Sequence, residues 1–254
     1  MQAKYFLILD ETVLSLTVFI CGYEVLMSIA DNLKHIHDRI AAAAKRAGRD
    51  PSSVQLIVVT KTVDAERIRE AVAAGAAILG ENRVQEAKEK IEKLGQIASW
   101  HLIGHLQTNK AKYAVKLFDM IHSVDNLDLA KELDKQAGKI GKVQNVLIEV
   151  SIAGEAAKAG VALQEAAGLV REAAKLKHIA IKGLMAVPPL LDNPEMVRPY
   201  FQRLRELAAG IAQENIPDVS LQELSMGMSG DFETAVEEGS TVVRVGTAIF
   251  GKRS

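Results

Sequence analysis

The sequence predicts a single (β/α)8 TIM barrel with one extra helix in front of it, and three observations carry that expectation. Short apolar runs alternate with helical patterns at the spacing of βα units. The runs number about eight, as a closed barrel requires. The first run is not followed by the glycine-rich loop that the main rival, an open doubly wound sheet, would place there.

The leading helix is expected to start at Ser28, a good N-cap, with Ile29, Leu33, Ile36 and Ile40 on one stripe. It ends near Gly48, with Pro51 beyond. Strands are expected at Gln55 to Thr60, Ala77 to Leu79, Trp100 to Ile103, Met120 to Ser123, Asn145 to Val150, Ile179 to Met185, Ser220 to Leu224 and Thr241 to Val245. Several are apolar on both faces, Leu56-Ile57-Val58-Val59 most clearly, as parallel strands covered inside and outside must be. Asp64 caps a helix whose flanking Val63 and Ile68 sit at staple positions and whose end is marked by Gly75. Asp231 and Gly239 bracket another, and helical patterns fill Val84 to Leu94, Leu127 to Lys139, Leu163 to Leu176 and Glu195 to Ala212. Residues 1–26 fit none of this: apolar stretches at Tyr5 to Leu9 and Val13 to Cys21 are broken by Asp10 and Glu11. They form neither a signal peptide nor a membrane span, and are read as an atypical extension ahead of a functional chain over residues 27–254.

Composition narrows the function. The net charge is −1, basic residues are dispersed and aromatics make up 4%, so the basic stripe and stacking platform of a nucleic-acid binder are missing. The single cysteine, Cys21, rules out a disulfide framework and points to a reducing, cytoplasmic compartment. No metal site is expected: His101, His105 and His122 do not share a helix face, and no Cys, Asp or Glu completes a ligand set.

In such barrels functional groups gather at the C-terminal strand ends. Lys61 closes the first strand on the face of Ile57 and Val59; if that face points inward, its amine stands at the barrel mouth, where desolvation makes a lysine nucleophilic toward aldehydes. A solvated lysine snorkelling from a strand end is the plain alternative. Arg244 shares a face with Val242 and Gly246 in an otherwise apolar strand and needs an acceptor. Gly246 and Thr247 then open a short turn whose amides can cradle a phosphate. The loop from Leu224 to Asp231 offers Ser225, Met226, Gly227 and further amides to an anion, although Ser229 or Asp231 can equally cap the next helix. Asn82 follows the second strand and either meets a ligand or forms a capping box with Gln85; His105, near the mouth, helps define the pocket.

Six stretches, in shared order and spacing, resemble the YggS/PROSC family of pyridoxal phosphate homeostasis proteins. They are Val58-Val-Thr-Lys61, Gly80-Glu-Asn-Arg-Val-Gln-Glu86, Trp100-His-Leu-Ile-Gly-His-Leu-Gln-Thr-Asn-Lys110, Gly183-Leu-Met-Ala186, Leu224-Ser-Met-Gly-Met-Ser-Gly-Asp231 and Val243-Arg-Val-Gly-Thr-Ala-Ile-Phe-Gly251. The resemblance spans Met27 to the C-terminus; Ser151 and Val187 depart from the family pattern without touching an assigned residue. It implies a barrel of the alanine racemase N-terminal type (fold type III) with pyridoxal 5′-phosphate (PLP) as a Schiff base on Lys61. Ser225, Gly246 and Thr247 would hold the phosphate, with Met226 and Asn82 flanking the ring. Arg244 would face the pyridine nitrogen, where like-charge repulsion keeps that nitrogen unprotonated and the ring a weak electron sink.

The same resemblance implies a cofactor reservoir rather than an enzyme. Alanine racemases add a second domain and a tyrosine base from a partner, whereas few residues follow the last strand here, and neither Tyr113 nor Tyr200 fits the role. The expected partners are PLP, other B6 vitamers and PLP-dependent client enzymes, with no nucleic acid or membrane, and the expected state is a monomer. An amino-acid racemase or related PLP enzyme is the alternative, ahead of a cofactor-free aldolase or an interaction scaffold.

Overall fold

A computed structural model describes the backbones of two short strands, β1 (Val18–Ile20) and β2 (Tyr23–Val25), together with residues 28–153 and 159–251. Both strands lie in the stretch expected to hold no regular element, and they pair antiparallel with each other. The rest of residues 1–27, Cys21 included, lies outside the described residues.

The barrel strands are β3 (Gln55–Val59), β4 (Ile78–Glu81), β5 (Ser99–Leu102), β6 (Met120–Val124), β7 (Gln144–Ser151), β9 (Ile179–Met185), β10 (Glu223–Ser225) and β11 (Val242–Val245). Each pairs in parallel with its sequence neighbour in that series, and β11 pairs with β3 to close the cylinder. The two-residue β8 (Val161–Ala162) is an appendage on β7. The open-sheet alternative is thereby excluded.

Around the strands run α1 (Ile29–Arg46), α2 (Ala65–Ala73), α3 (Val84–Leu94), α4 (Ala111–Leu117), α5 (Leu127–Gly138), α6 (Ala166–Ala173), α7 (Arg198–Gln213), α8 (Phe232–Glu237) and α9 (Thr247–Phe250). Most expected elements appear with ends moved by a few residues. The region starting at Glu195 opens as a 3-10 turn, Pro194–Val197, before α7, and the seventh strand starts at Glu223 rather than Ser220.

Alternation divides the strand residues into two cores. Leu56, Val58, Leu79, Trp100, Leu102, Ile121, Val146, Ile148, Val243 and Val245 join the layer between strands and helices. Ile57, Val59 and Val242 form a separate apolar group within the cylinder, flanked by Ile78 and Ile103. The inward parity of β3 and β11 is therefore that of Lys61 and Arg244.

Helix α1 is built as expected: Ser28 caps it in a capping box with Asp31, and Ile29, Leu33, Ile36 and Ile40 are buried. Each such side chain contributes roughly 1.5–3 kcal/mol by leaving water. Polar ties then fix α1 and the turn after it to α8, α9 and the loop that follows α8. Asn32 Nδ2 donates to Ile249 O at 2.9 Å, Arg39 pairs with Glu233 at 2.8 Å, and Arg49 donates to Val236 O and Ser240 O. The extra helix thus steadies the chain that follows β10 and β11, where the candidate anion-binding amides lie.

Candidate functional site

Lys61 sits in a tight turn, closed by Val63 N donating to Thr60 O at 2.9 Å. Thr62, the next residue, has φ +60°, a left-handed conformation that disfavours a β-branched side chain. Two acidic anchors hold it there. Glu86 accepts from Thr62 N, and the buried Glu81 accepts from Thr60 Oγ1 at 2.6 Å. Lys90 Nζ joins both carboxylates and Thr60 O at 2.6–2.7 Å. Burial raises the Glu81 carboxyl while Lys90 opposes the rise. Lys61, two residues past the end of β3, has the sequence parity of Ile57 and Val59 and is half-buried.

Asn82 follows β4, also on the inward parity. Gly104 presses its backbone there, so that a Cβ at Gly104 would lie 2.4 Å from Asn82 O. The capping-box alternative does not hold: α3 is N-capped at Arg83 with no side-chain bond. His105 stands farther out, its side chain 55% exposed and its Nδ1 3.8 Å from Asp125 Oδ2.

On the other side of β3, strand β11 carries Arg244 in register with Ile57. The guanidinium is 4% exposed and donates to Ser225 O (2.8 Å), Ser225 Oγ (2.6 Å) and Ala186 O (2.9 Å), which supplies the acceptors that a cation in an apolar strand requires. Burial lowers it to about 10, opposed by Glu149 and Asp231, so it stays charged at neutral pH. Just beyond, Gly246 is buried and Thr247 exposed at the start of α9, whose first amides have no intrahelical acceptor. Ser229 Oγ lies 3.5 Å from Gly246 N, so the β10 loop and the β11 turn converge. Gly227 makes the loop tight, with φ +94° and a hypothetical Cβ 2.6 Å from Ala235 Cβ. Asp231 turns back to accept from Met228 N at 2.6 Å instead of capping α8 with its side chain.

Two residues are placed differently from the sequence expectation. Met226 is fully buried in the helix-facing core, with its N–H on Val242 O and its O accepting from Ser240 Oγ, so it offers no surface to a ring. Ser225 is also fully buried, and its hydroxyl is engaged by Arg244 and His122 rather than presented to a phosphate.

Sequence reading missed the remaining polar interior. His101 Nδ1 and His122 Nε2 are 3.1 Å apart, and His122 Nδ1 is 3.0 Å from Ser225 Oγ. Glu149 is 7% exposed, and its Oε2 is buried without a hydrogen-bond partner. Burial, aided by Asp125 and opposed by Arg244, pushes its carboxyl up to about 7. A raised carboxyl binds its proton more tightly folded than unfolded, so its ionisation removes stability as pH rises from about 4.5 to about 7. Glu149→Gln is therefore expected to stabilise the protein by roughly 1–3 kcal/mol at pH 8 and to change little at pH 4. Urea melts at the two pH values check this; equal effects at both would contradict it.

Lys61, Asn82, Gly227, Arg244, Gly246 and Thr247 thus come from four adjacent parallel strands, β4, β3, β11 and β10, at their C-terminal ends. An amine on one strand and an amide cradle on the next, with a guanidinium buried below, suit a flat anionic ligand with an electrophilic carbon. All three hydrogen-bond acceptors of Arg244 are neutral oxygens, and the lone pair of a heteroaromatic nitrogen is a neutral acceptor of the same kind.

Architecture and site together define a barrel of the alanine racemase N-terminal class, and residues 32–254 match the family described as "Alanine racemase, N-terminal domain". The pyridoxal phosphate homeostasis protein of Aquifex aeolicus is 46% identical over 228 residues, covering 89% of this chain and 99% of the relative. That of Escherichia coli K12 is 40% identical over 229 residues, 89% of this chain and 97% of its own. Among solved structures, PipY of Synechococcus elongatus PCC7942 with PLP bound superposes with a TM-score of 0.79 at 40% identity, covering 88% of this chain and 100% of PipY. The chain belongs to the pyridoxal phosphate homeostasis protein family.

Proposed function

We propose that this chain binds pyridoxal 5′-phosphate at the barrel mouth, as a Schiff base on Lys61, and serves PLP homeostasis without turning over an amino acid. The observation that carries the reading is the placement of Lys61 and the Arg244-Val-Gly-Thr247 segment at the same end of the paired strands β3 and β11. The PLP-bound PipY and the relatives' names support it. Bound PLP supplies an aldehyde carbon and a phosphate. Lys61 holds the first; the amides of Gly227, Gly246 and Thr247, with Ser229, hold the second. Asn82 and His105 line the open side, and Arg244 faces the ring nitrogen, where its charge disfavours protonation. Ser225 serves Arg244 instead of the phosphate, and Met226 shapes the strand end.

Titrating the purified protein with PLP is expected to give one equivalent of a visible absorbance band that excess free PLP does not reproduce; its absence would overturn the reading. Incubating the loaded protein with a panel of L-amino acids is expected to yield no chiral inversion and no product, and steady turnover would favour a racemase. Thr247→Ala is expected to weaken PLP retention about tenfold, the loss of one hydrogen bond to a charged group, with an unchanged thermal melt.

Residues 27–254 carry the function in this reading, and residues 1–26 stand apart from it. Support comes from the family match beginning at 32 and from a 228-residue alignment that spans 99% of the Aquifex relative. A chain starting at Met27 should bind PLP with unchanged affinity. A cytoplasmic monomer that passes PLP to client enzymes and also meets other B6 vitamers completes the proposal. Among the described residues, no helix is long and apolar enough to cross a membrane.

A further inference from the structure

Four interior side chains form one continuous hydrogen-bonded chain across strands β11, β10, β6 and β5: Arg244, Ser225, His122 and His101, at 2.6, 3.0 and 3.1 Å. Its proton inventory has one consistent solution. Arginine only donates, so Ser225 Oγ must accept from Arg244. The fully buried serine then has one proton of its own, and the remaining neighbour of its oxygen is His122 Nδ1. If Ser225 donates to Nδ1, the proton of a neutral His122 sits on Nε2 and is donated to His101 Nδ1, which leaves the His101 proton on Nε2. The reverse direction would aim two donors at Ser225 Oγ and leave its hydroxyl proton buried without an acceptor.

We infer that His122 is a positioning residue for the PLP site: by accepting the Ser225 hydroxyl proton it holds the serine oxygen toward Arg244, and so sets the guanidinium that faces the ligand. The inference rests on the PLP reading for its consequence, though not for its hydrogen-bond chain. His122 lies between groups that disfavour a second charge. It is fully buried, it abuts His101, and Arg244 repels a proton on it, so its pKa is held well below the ordinary histidine range. Burial likewise takes His101 down to about 4, with Asp119 opposing. Arg244 is then the one positive charge in the chain. Three of its five N–H donors are fixed by Ser225 and Ala186, so its plane is set before any ligand arrives.

The test has a PLP-independent arm and a PLP-dependent arm. Long-range proton–nitrogen NMR of the histidine side chains, in protein without added PLP, should show His122 neutral with its proton on Nε2 from pH 5.5 to 8. Ser225→Ala should move the Nδ1 resonance. A proton on Nδ1, or titration near pH 6.5, would overturn the hydrogen-bond chain. In the second arm, His122→Phe removes the acceptor in similar volume and should weaken PLP retention about tenfold and shift the absorbance band. His122→Asn, whose Oδ1 can take the place of Nδ1, should restore both. Wild-type affinity and an unmoved band in His122→Phe would overturn the positioning role. If instead the wild-type protein gives no PLP band, the proposed function fails, and the tautomer measurement still decides the chain.

Discussion

Lys61→Ala is expected to abolish the visible band formed with PLP and to lower retention by at least about a hundredfold, because one substitution removes the covalent attachment and a cationic partner of the ligand. The folded barrel should survive it. Lys61 is half-buried, and Thr60, Glu81, Glu86 and Lys90 anchor the turn that carries it. Thermal melting within a few degrees of wild type, with the band gone, is the outcome that separates attachment from folding. A persisting band would move the Schiff base to another lysine. Loss of both band and fold would return Lys61 to a structural role.

Lys90→Met should be the most destabilising single change near the site. Lys90 Nζ is the cation between the fully buried Glu81 and the partly buried Glu86, and it also holds Thr60 O. Removing one partner of a buried ion pair leaves an uncompensated charge, which costs about 3–5 kcal/mol, several times the value of an exposed pair. Glu81 has one oxygen, Oε2, already without a partner, so it has little else to lean on. Chemical denaturation measures the loss. Adding Glu81→Leu should recover much of it, since the orphaned carboxylate is then gone. Because the network ends in the turn that presents Lys61, the single variant should also bind PLP more weakly. A loss below about 1 kcal/mol would mean that the network behaves as a surface pair.

The parts of the fold legible in the sequence are those governed by local period. Parity put Lys61 with Ile57 and Val59, and Arg244 with Val242, and the inner group of the barrel contains those same apolar residues. Capping chemistry placed the starts of α1 and α2. Helix α4 escaped because Ala111–Leu117 is short and crowded with lysines, and its stability comes from packing Ala111, Ala114 and Val115 rather than from a long stripe. The sequence pattern ends this strand at Leu79 because Gly80 and Glu81 have loop character; in β4 Glu81 belongs to the strand because Lys90, nine residues on, neutralises it there.

At the site, the misplacements of Ser225 and Met226 share one cause. The sequence pattern places both in a loop after a strand ending at Leu224, yet β10 ends at Ser225. Continuing the alternation would have sent Met226 outward with Leu224 and Ser225 inward with Arg244. The same alternation puts His101 and His122 inside on adjacent strands, a signal present in the sequence. The burial of Glu149 beside Arg244 and Asp125 brings together residues far apart in the chain and had no local signature.

The central claim is that one amine, at the rim of β3, carries the vitamin. Reducing the PLP-loaded protein with borohydride and mapping the peptides by mass measures it directly. The account predicts a single phosphopyridoxyl group, on the peptide containing Lys61. The same mass on a peptide from the outer helices, with Lys61 unmodified, would contradict it.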